Sequence, residues 1–325
     1  MTLALFLALS LSAPHDPVQT LVRLAPQQSA QQQPPADELD FTVDDTRMTV
    51  PVEIGLDPAA PTGARGPYRF VVDTGAERTV LSRELAARLG LAPGPIVRVT
   101  AMAGSVPTPT VLVPHIVVGS RKAGAQLSGT RIEAPVLFER NLGAAGLVGI
   151  DTLQGKAVSV DFARKVMTVT PATRRTRRES FGPDDIVIRA KNLLGQLVVT
   201  DAHYDGRQIR VVVDTGSVVS MGNIALKRLV ARSRGPLTPV SLLSVTGGML
   251  QAQYGIVTGV RIGAIELANL PIAFSDAAPF TRLGLADRPA LLLGMDALRL
   301  FGQVRIDFAN RELRLARPDP GPAAF

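Results

Sequence analysis

Short apolar runs alternate with turn residues along this chain, at the spacing of strands more than of helices. Met48-Thr49-Val50-Pro51-Val52-Glu53-Ile54 switches between apolar and polar positions with a period of two, the pattern of a strand with one buried face. Residues 57–66 are rich in Pro, Ala and Gly and predict a loop. After Arg69, Phe70-Val71-Val72 is an apolar run into Asp73, and Thr79-Val80-Leu81 predicts a return strand. Ser82 is placed to cap a short helix with Leu85 and Leu89 on one face and Gly90 at its end. Residues 97–112 predict two extended Thr/Val-rich arms about a turn at Ala103-Gly104-Ser105. Residues 158–162 and 166–169 predict a hairpin around Ala163-Arg164-Lys165.

The second half repeats this order. Ile209-Arg210-Val211-Val212-Val213 runs into Asp214, and Asn223 stands as a helix cap before Leu226, Leu229 and Val230. Gly247-Gly248 sits in an extended Ser/Thr/Val segment, as Gly104 does. Leu291 to Leu298 matches Leu147 to Leu153, and a hairpin at 304–315 matches the first one. The intervals agree: Asp73 to Gly149 is 76 positions and Asp214 to Gly294 is 80, while Gly149 to Asp161 is 12 and Gly294 to Asp307 is 13. The pattern is a duplicated domain of about 130 residues, not a short array. Many short strands and turns make the expected class all-β, with two homologous β-barrel lobes, short helices and a site in the cleft between them.

Each repeat carries Asp-Thr-Gly at the end of its apolar strand, Asp73-Thr74-Gly75-Ala76 and Asp214-Thr215-Gly216-Ser217. A chain of this length holds about 0.07 such triplets by chance, so two in matching contexts form a specific signal. Gly75 and Gly216 permit a sharp turn. A carboxylate closing a buried strand is costly unless paired or used. One in each repeat points to two loops facing each other and sharing a site.

Composition narrows the chemistry. The 325 residues suffice for two domains, and 46% are apolar. Net charge is +7, mostly thinly spread Arg without interleaved aromatics, so nucleic acid is not an expected partner. There are no cysteines, which excludes disulfides, thiolate metal sites and a Cys nucleophile. His15, His115 and His203 are scattered without ligand spacing, so no metal and no cofactor is expected. No Gly-x-Ser-x-Gly occurs, which argues against a serine hydrolase.

The expected domain organisation is a signal peptide over 1–12 and a linker or short pro-segment over 13–40, rich in Gln and Pro. A first lobe over 41–172, a basic connector over 173–183, a second lobe over 184–317 and a tail over 318–325 follow. The apolar run at 3–11 is too short to span a bilayer, so export to a periplasmic or secreted location is expected, without stable membrane insertion.

Two Asp-Thr-Gly loops, a Gly turn in an extended segment and an apolar-apolar-Gly motif, all recurring in order, resemble the aspartic peptidases. The resemblance covers about residues 41–317 and is similar to retropepsin-like lobes, here fused in one chain as in pepsin-like enzymes. It implies that Asp73 and Asp214 are the catalytic dyad. Thr74 and Thr215 would interlock beneath them, and Gly75 and Gly216 would present backbone N–H groups, with Ala76 and Ser217 completing the loops. Gly149 and Gly294 would pack where the chain crosses behind. Gly104, Gly247 and Gly248 would lie in flaps. The substrate implied is an extended peptide or unfolded protein, cut by a monomer with pseudo-two-fold symmetry. A catalytically silent peptide-binding module on the same fold is the alternative. Ala76 stands where pepsin-like enzymes carry a hydroxyl residue. From that difference the dyad is expected to be asymmetric, with the Ser217 hydroxyl donating beside Asp214.

Overall fold

The computed structural model describes residues 47–57, 64–119, 127–153, 155–171, 186–232 and 235–316, with the backbone of four short earlier strands, Thr2–Ala4, Val22–Arg23, Asp37–Asp40 and Thr42–Asp44. In the first lobe, Arg47–Gly55 pairs antiparallel with Arg65–Val72, which runs parallel to Gly146–Val148. Gly146–Val148 pairs with Val80–Ser82, which runs parallel to Leu127–Leu137. Leu127–Leu137 pairs with Thr110–Val118, and that strand returns to Arg47–Gly55 from His115 opposite Gly55 to Val118 opposite Val52. Six strands thus close into a barrel, which leaves those strands no open edge. The period-two pattern explains its inside: Met48, Val50, Val52 and Ile54 are buried, with Phe70, Leu81, Val113 and Ile116 in the same cluster.

The second lobe repeats the arrangement with Gln196–Tyr204, Arg207–Val213, Ala290–Leu293, Met221–Gly222, Leu270–Phe274 and Met249–Val257. Its ring closes differently. Met249–Val257 stops, the chain turns at Gly259 with φ of 80°, and Val260–Ile262 makes the pairs to Gln196–Tyr204. The hairpin Lys156–Asp161/Val166–Pro171 meets the hairpin Gln303–Asp307/Glu312–Ala316 edge to edge, with Val158 opposite Ile306. Ile186–Leu193 and Asp37–Asp40 extend that sheet at its two sides. The halves are therefore joined by one hydrogen-bonded sheet as well as by the chain.

The predicted caps form as read. Ser82 accepts from Leu85 N at 3.0 Å and begins Arg83–Leu89, which ends at Gly90 with φ of 61°. Asn223 accepts from Leu226 N at 2.8 Å and begins Ile224–Leu229. Two readings shift. The first flap turns at Met102-Ala103, and Gly104 starts the returning strand Gly104–Thr108 opposite Ala101. Within 13–40, Val22–Arg23 pairs with Ile265–Leu267 and Asp37–Asp40 pairs with Val166–Pro171. Backbone pairing at a sheet edge needs no apolar side chain, so a polar stretch can supply it. The basic run at 174–178, His15, the tail at 318–325 and most of 1–12 lie outside the described residues.

Candidate active site

The two apolar strands deliver their Asp residues to one place. Asp73 N donates to Val148 O and Asp214 N to Leu293 O, both at 3.0 Å, so each Asp leaves its barrel at the same point of a parallel pair. Each loop then folds back on its own carboxylate. Asp73 Oδ1 accepts from Gly75 N at 2.8 Å and Ala76 N at 3.0 Å. Asp214 Oδ1 accepts from Gly216 N at 3.0 Å and Ser217 N at 3.1 Å. Both side chains are fully buried, and both Oδ2 atoms receive no hydrogen bond from a protein donor. The two carboxyl groups lie within hydrogen-bonding reach of each other.

Beneath them the threonines cross between lobes. Thr74 Oγ1 donates to Val213 O at 3.0 Å and accepts from Thr215 N at 3.1 Å. Thr215 Oγ1 donates to Val72 O at 2.8 Å and accepts from Thr74 N at 3.1 Å. These four hydrogen bonds join six buried polar groups, which are satisfied only when both loops are in place. Behind each loop passes a glycine. A Cβ on Gly149 would stand 2.3 Å from the Arg78 carbonyl carbon, and one on Gly294 would stand 2.8 Å from that of Val219.

Burial decides the electrostatics. It pushes the Asp73 carboxyl up to about 7, against the opposing pull of the Gly75 and Ala76 N–H groups, the Arg47 charge and the neighbouring Asp214 carboxyl. Burial raises Asp214 well above the usual carboxylate range, and the charge of Asp73 raises it further. Two acids so placed titrate as one unit and share a proton.

Two hairpins cover the pair by crossing over. The tip of Val97–Ala101/Gly104–Thr108 carries Met102 into an apolar cluster of the second lobe, with Val212, Val219, Ala277 and Phe280, and Met102 O accepts from Ala278 N at 3.3 Å. The tip between Thr238–Leu243 and Met249–Val257 carries Val245 into a cluster of the first lobe, with Val71, Ala76, Leu142 and Ala144. The tips meet: a Cβ on Gly248 would stand 2.9 Å from that of Ala103. Gly247 takes φ of 87°, while Gly104, at φ of 124°, faces open space. A bidentate pair adds a further link between the lobes, from Arg282 to Glu77 at 2.8 and 3.0 Å.

One expectation fails. The Ser217 hydroxyl donates to Val219 O at 2.7 Å and not to Asp214. The bond to Asp214 comes from the Ser217 backbone, as Ala76 supplies it to Asp73, so this position creates no asymmetry. Other residues around the loops escaped the sequence reading. Asp151 accepts from Thr79 N and Oγ1 at 2.9 and 2.8 Å, and Asp296 from Ser220 N and Oγ at 2.9 and 2.6 Å, pinning the apolar-Gly segment to the strand after each loop. Their signal was present, since each Asp lies two residues after Gly149 or Gly294, and each hydroxyl six after Asp73 or Asp214. Gln196 and Arg47 gave none: they start the strands paired with those that enter the two loops, Gln196 Nε2 donating to Gly75 O in the loop of the other lobe at 2.7 Å and Arg47 Nη1 donating to Leu142 O. Among the described residues, no three His, Asp or Glu side chains cluster to hold a metal, and no helix is long and apolar enough to cross a membrane.

No curated protein matches the chain. Among solved structures it is similar to the basic 7S globulin from soybean, at 9% identity over 87% of this chain and 95% of that one, with a TM-score of 0.47. It is likewise similar to conglutin gamma, a basic 7S globulin from lupine seeds, at 7% identity over the same shares, with a TM-score of 0.49. The aspartyl protease family model matches residues 50–152 and 200–297, one match on each lobe and together more than half of the chain. With both loops, both crossings and both barrels accounted for, the chain belongs to the aspartyl protease family.

Proposed function

We propose that the chain is an aspartic endopeptidase whose catalytic residues are Asp73 and Asp214. The observation that carries this reading is the meeting of two fully buried carboxyl groups, each held at Oδ1 by its own loop and each presenting an Oδ2 that no protein donor satisfies. A structural carboxylate has no reason to leave such an atom bare. With one proton between them, the ionised member takes a proton from a water, whose oxygen attacks the peptide carbonyl carbon. The protonated member donates to the carbonyl oxygen. The resulting diol collapses with cleavage of the C–N bond, and the amine leaves with a proton returned by the pair. The interlocked threonines hold the carboxyl groups at fixed separation throughout.

The crossed hairpins support an extended peptide as substrate. Both must lift for a chain to enter, and their strands can then pair with its backbone. Met102 and Val245 supply apolar surface over the cleft, which favours apolar side chains beside the cut bond. The apolar run near the N-terminus supports export. The test is cleavage of a peptide library by purified protein across pH, with Asp73→Asn and Asp214→Asn as controls. Cleavage that vanishes in both supports the reading. Tight peptide binding that both variants retain, without cleavage by the wild type at any pH, assigns a silent binding module instead.

A further inference from the structure

Of two successive carbonyls in the first loop, one is held by its own lobe and one by the other. Ala76 O accepts from Ile150 N at 2.8 Å, as Ser217 O accepts from Met295 N at 2.8 Å in the second lobe. Gly75 O accepts from Gln196 Nε2 at 2.7 Å, 121 positions away. Gln196 opens the second-lobe strand Gln196–Tyr204, two residues before Val198, which pairs with Val212. Arg47 stands at the same place in the first lobe, two residues before Thr49, which pairs with Val71.

A tight hairpin delivers the amide. Leu193 pairs with Gln196 across a turn of two residues, Leu194 at φ of 52° and Gly195 at φ of 90°. A two-residue turn of this hand needs both angles positive, and Leu194 adopts one although it carries a side chain. Asn192 Oδ1 accepts from Gly195 N at 2.9 Å and closes the turn. A Cβ on Gly195 would stand 3.3 Å from Cγ2 of Ile150, so the turn packs on the first-lobe residue whose N–H holds Ala76 O. Gln196 itself is fully buried, and its Oε1 meets no protein donor. An apolar side chain would fill that space without a buried, unmet oxygen, so packing alone does not account for an amide here. A carbonyl oxygen only accepts, so the amide presents its nitrogen to Gly75.

The C=O of Gly75 and the N–H of Ala76 belong to one trans peptide unit and point in opposite directions. That N–H is shared by two oxygens of Asp73, Oδ1 at 3.0 Å and the backbone O at 3.3 Å. A small rotation of the unit exchanges one for the other. The bond from Gln196 at the far end resists that rotation and polarises the unit, which strengthens the N–H as a donor. We propose that Gln196 is a positioning residue of the reaction: from the second lobe, its amide fixes the Gly75–Ala76 peptide so that the Ala76 N–H holds Asp73 Oδ1, and with it the orientation of the Asp73 carboxyl. This rests on the peptidase reading. The lobe that supplies Asp214 thereby also sets Asp73, so the first acid is correctly held only when the two lobes are docked.

The decisive variant is Gln196→Met, which keeps the length and volume of the side chain and removes the donor. Two readouts are taken: NMR amide exchange at Ala76 and at its counterpart Ser217, and kcat and KM for one cleaved peptide. Exchange at Ala76 is expected to rise about tenfold while Ser217 stays within about twofold, because the opening is local. The misplaced carboxyl is expected to lower kcat about tenfold with KM little changed. Exchange at Ala76 that does not rise overturns the proposal. So does a rise of equal size at both residues, the mark of a general loosening, and so does a kinetic change confined to KM. If the Met variant does not fold, Gln196→Asn, which keeps the amide but falls one methylene short of Gly75 O, is read by the same outcomes. Absence of any cleavage by wild type refutes the peptidase reading alone, because exchange at Ala76 still reports whether Gln196 holds the peptide beside Asp73.

Discussion

The two lobes share the parts that build the site and differ in the parts that adjust it. Loop donors, interlocked threonines, crossing glycines and the Asp-hydroxyl pins occur twice with near-identical geometry. The counterpart side chains beneath the loops, Arg47 and Gln196, do not agree. Neither do the hairpin tips, a two-residue turn carrying Met102 in one lobe and a longer one carrying Val245 in the other. Duplication supplies two equivalent acids. Two equivalent acids that share one proton already take opposite roles; a preference for which of them holds it would come from outside the motif, where the copies diverge.

The largest effect that tests this comparison is removal of either acid. Asp73→Asn and Asp214→Asn are each expected to lower cleavage by about 10³-fold or more, since each removes a proton-transfer partner. Stability should move the other way. Asp73 goes from 3.8 to about 7 on folding, so the native state binds its proton more tightly than the unfolded chain does. The contribution of this group is then greatest below its unfolded value and is lost as pH rises to about 7. Asn cannot ionise, so both variants should exceed wild type in urea stability near pH 8 by about 1–3 kcal/mol and converge on it near pH 4. Wild type more stable than both variants near pH 8 would show that the carboxylates are paired favourably and not merely buried.

Next in size are the glycines behind the loops. Gly149→Ala forces a methyl to 2.3 Å from backbone, while Gly294→Ala forces one to 2.8 Å. The first is expected to cost about 3 kcal/mol and the second about 2, with urea midpoints in that order. Equal costs would mean that the loop after Asp73 yields as easily as the one after Asp214.

Much of this was legible because it is local or repeated. Ser82 and Asn223 cap helices by bonding three residues ahead, a range the sequence itself displays. Asp73 and Asp214 stood out because an acid closed the same apolar run twice. Arg47 and Gln196 were invisible for the opposite reason. Each acts on residues brought near by strand pairing or by the other lobe, and an arginine or glutamine at the start of a strand is unremarkable by itself. The hairpin tips were legible only as turns. An apolar residue at a turn gains its meaning from the cluster of the other lobe that receives it, as Met102 and Val245 show. Ser217 misleads because a hydroxyl three residues from Asp214 suggests a partner there, whereas it turns to Val219 O.

The threonines give a test in which the lobes should respond alike. Thr74→Val strands Val213 O and Thr215 N, and Thr215→Val strands Val72 O and Thr74 N. Each is expected to cost about 2 kcal/mol. Because every bond needs both loops, the double variant should cost less than the two single costs together, a coupling readable by a double-mutant cycle. Additive costs would mean that the two loops are held independently.

The smallest effect separates the loops from what surrounds them. Ser217→Ala removes one buried hydroxyl that donates to Val219 O and copies the first lobe, where Ala76 fills the same place. Its cost should be about 1 kcal/mol in urea stability, for the one carbonyl left without that donor. The position of the pH profile should not change, because the Ser217 N–H that serves Asp214 is untouched. If the profile does move, the hydroxyl reaches Asp214 when the hairpins lift, and the difference between the acids begins inside the loops. If it stays, the loops are interchangeable in this respect, and any difference between the acids comes from the residues around them.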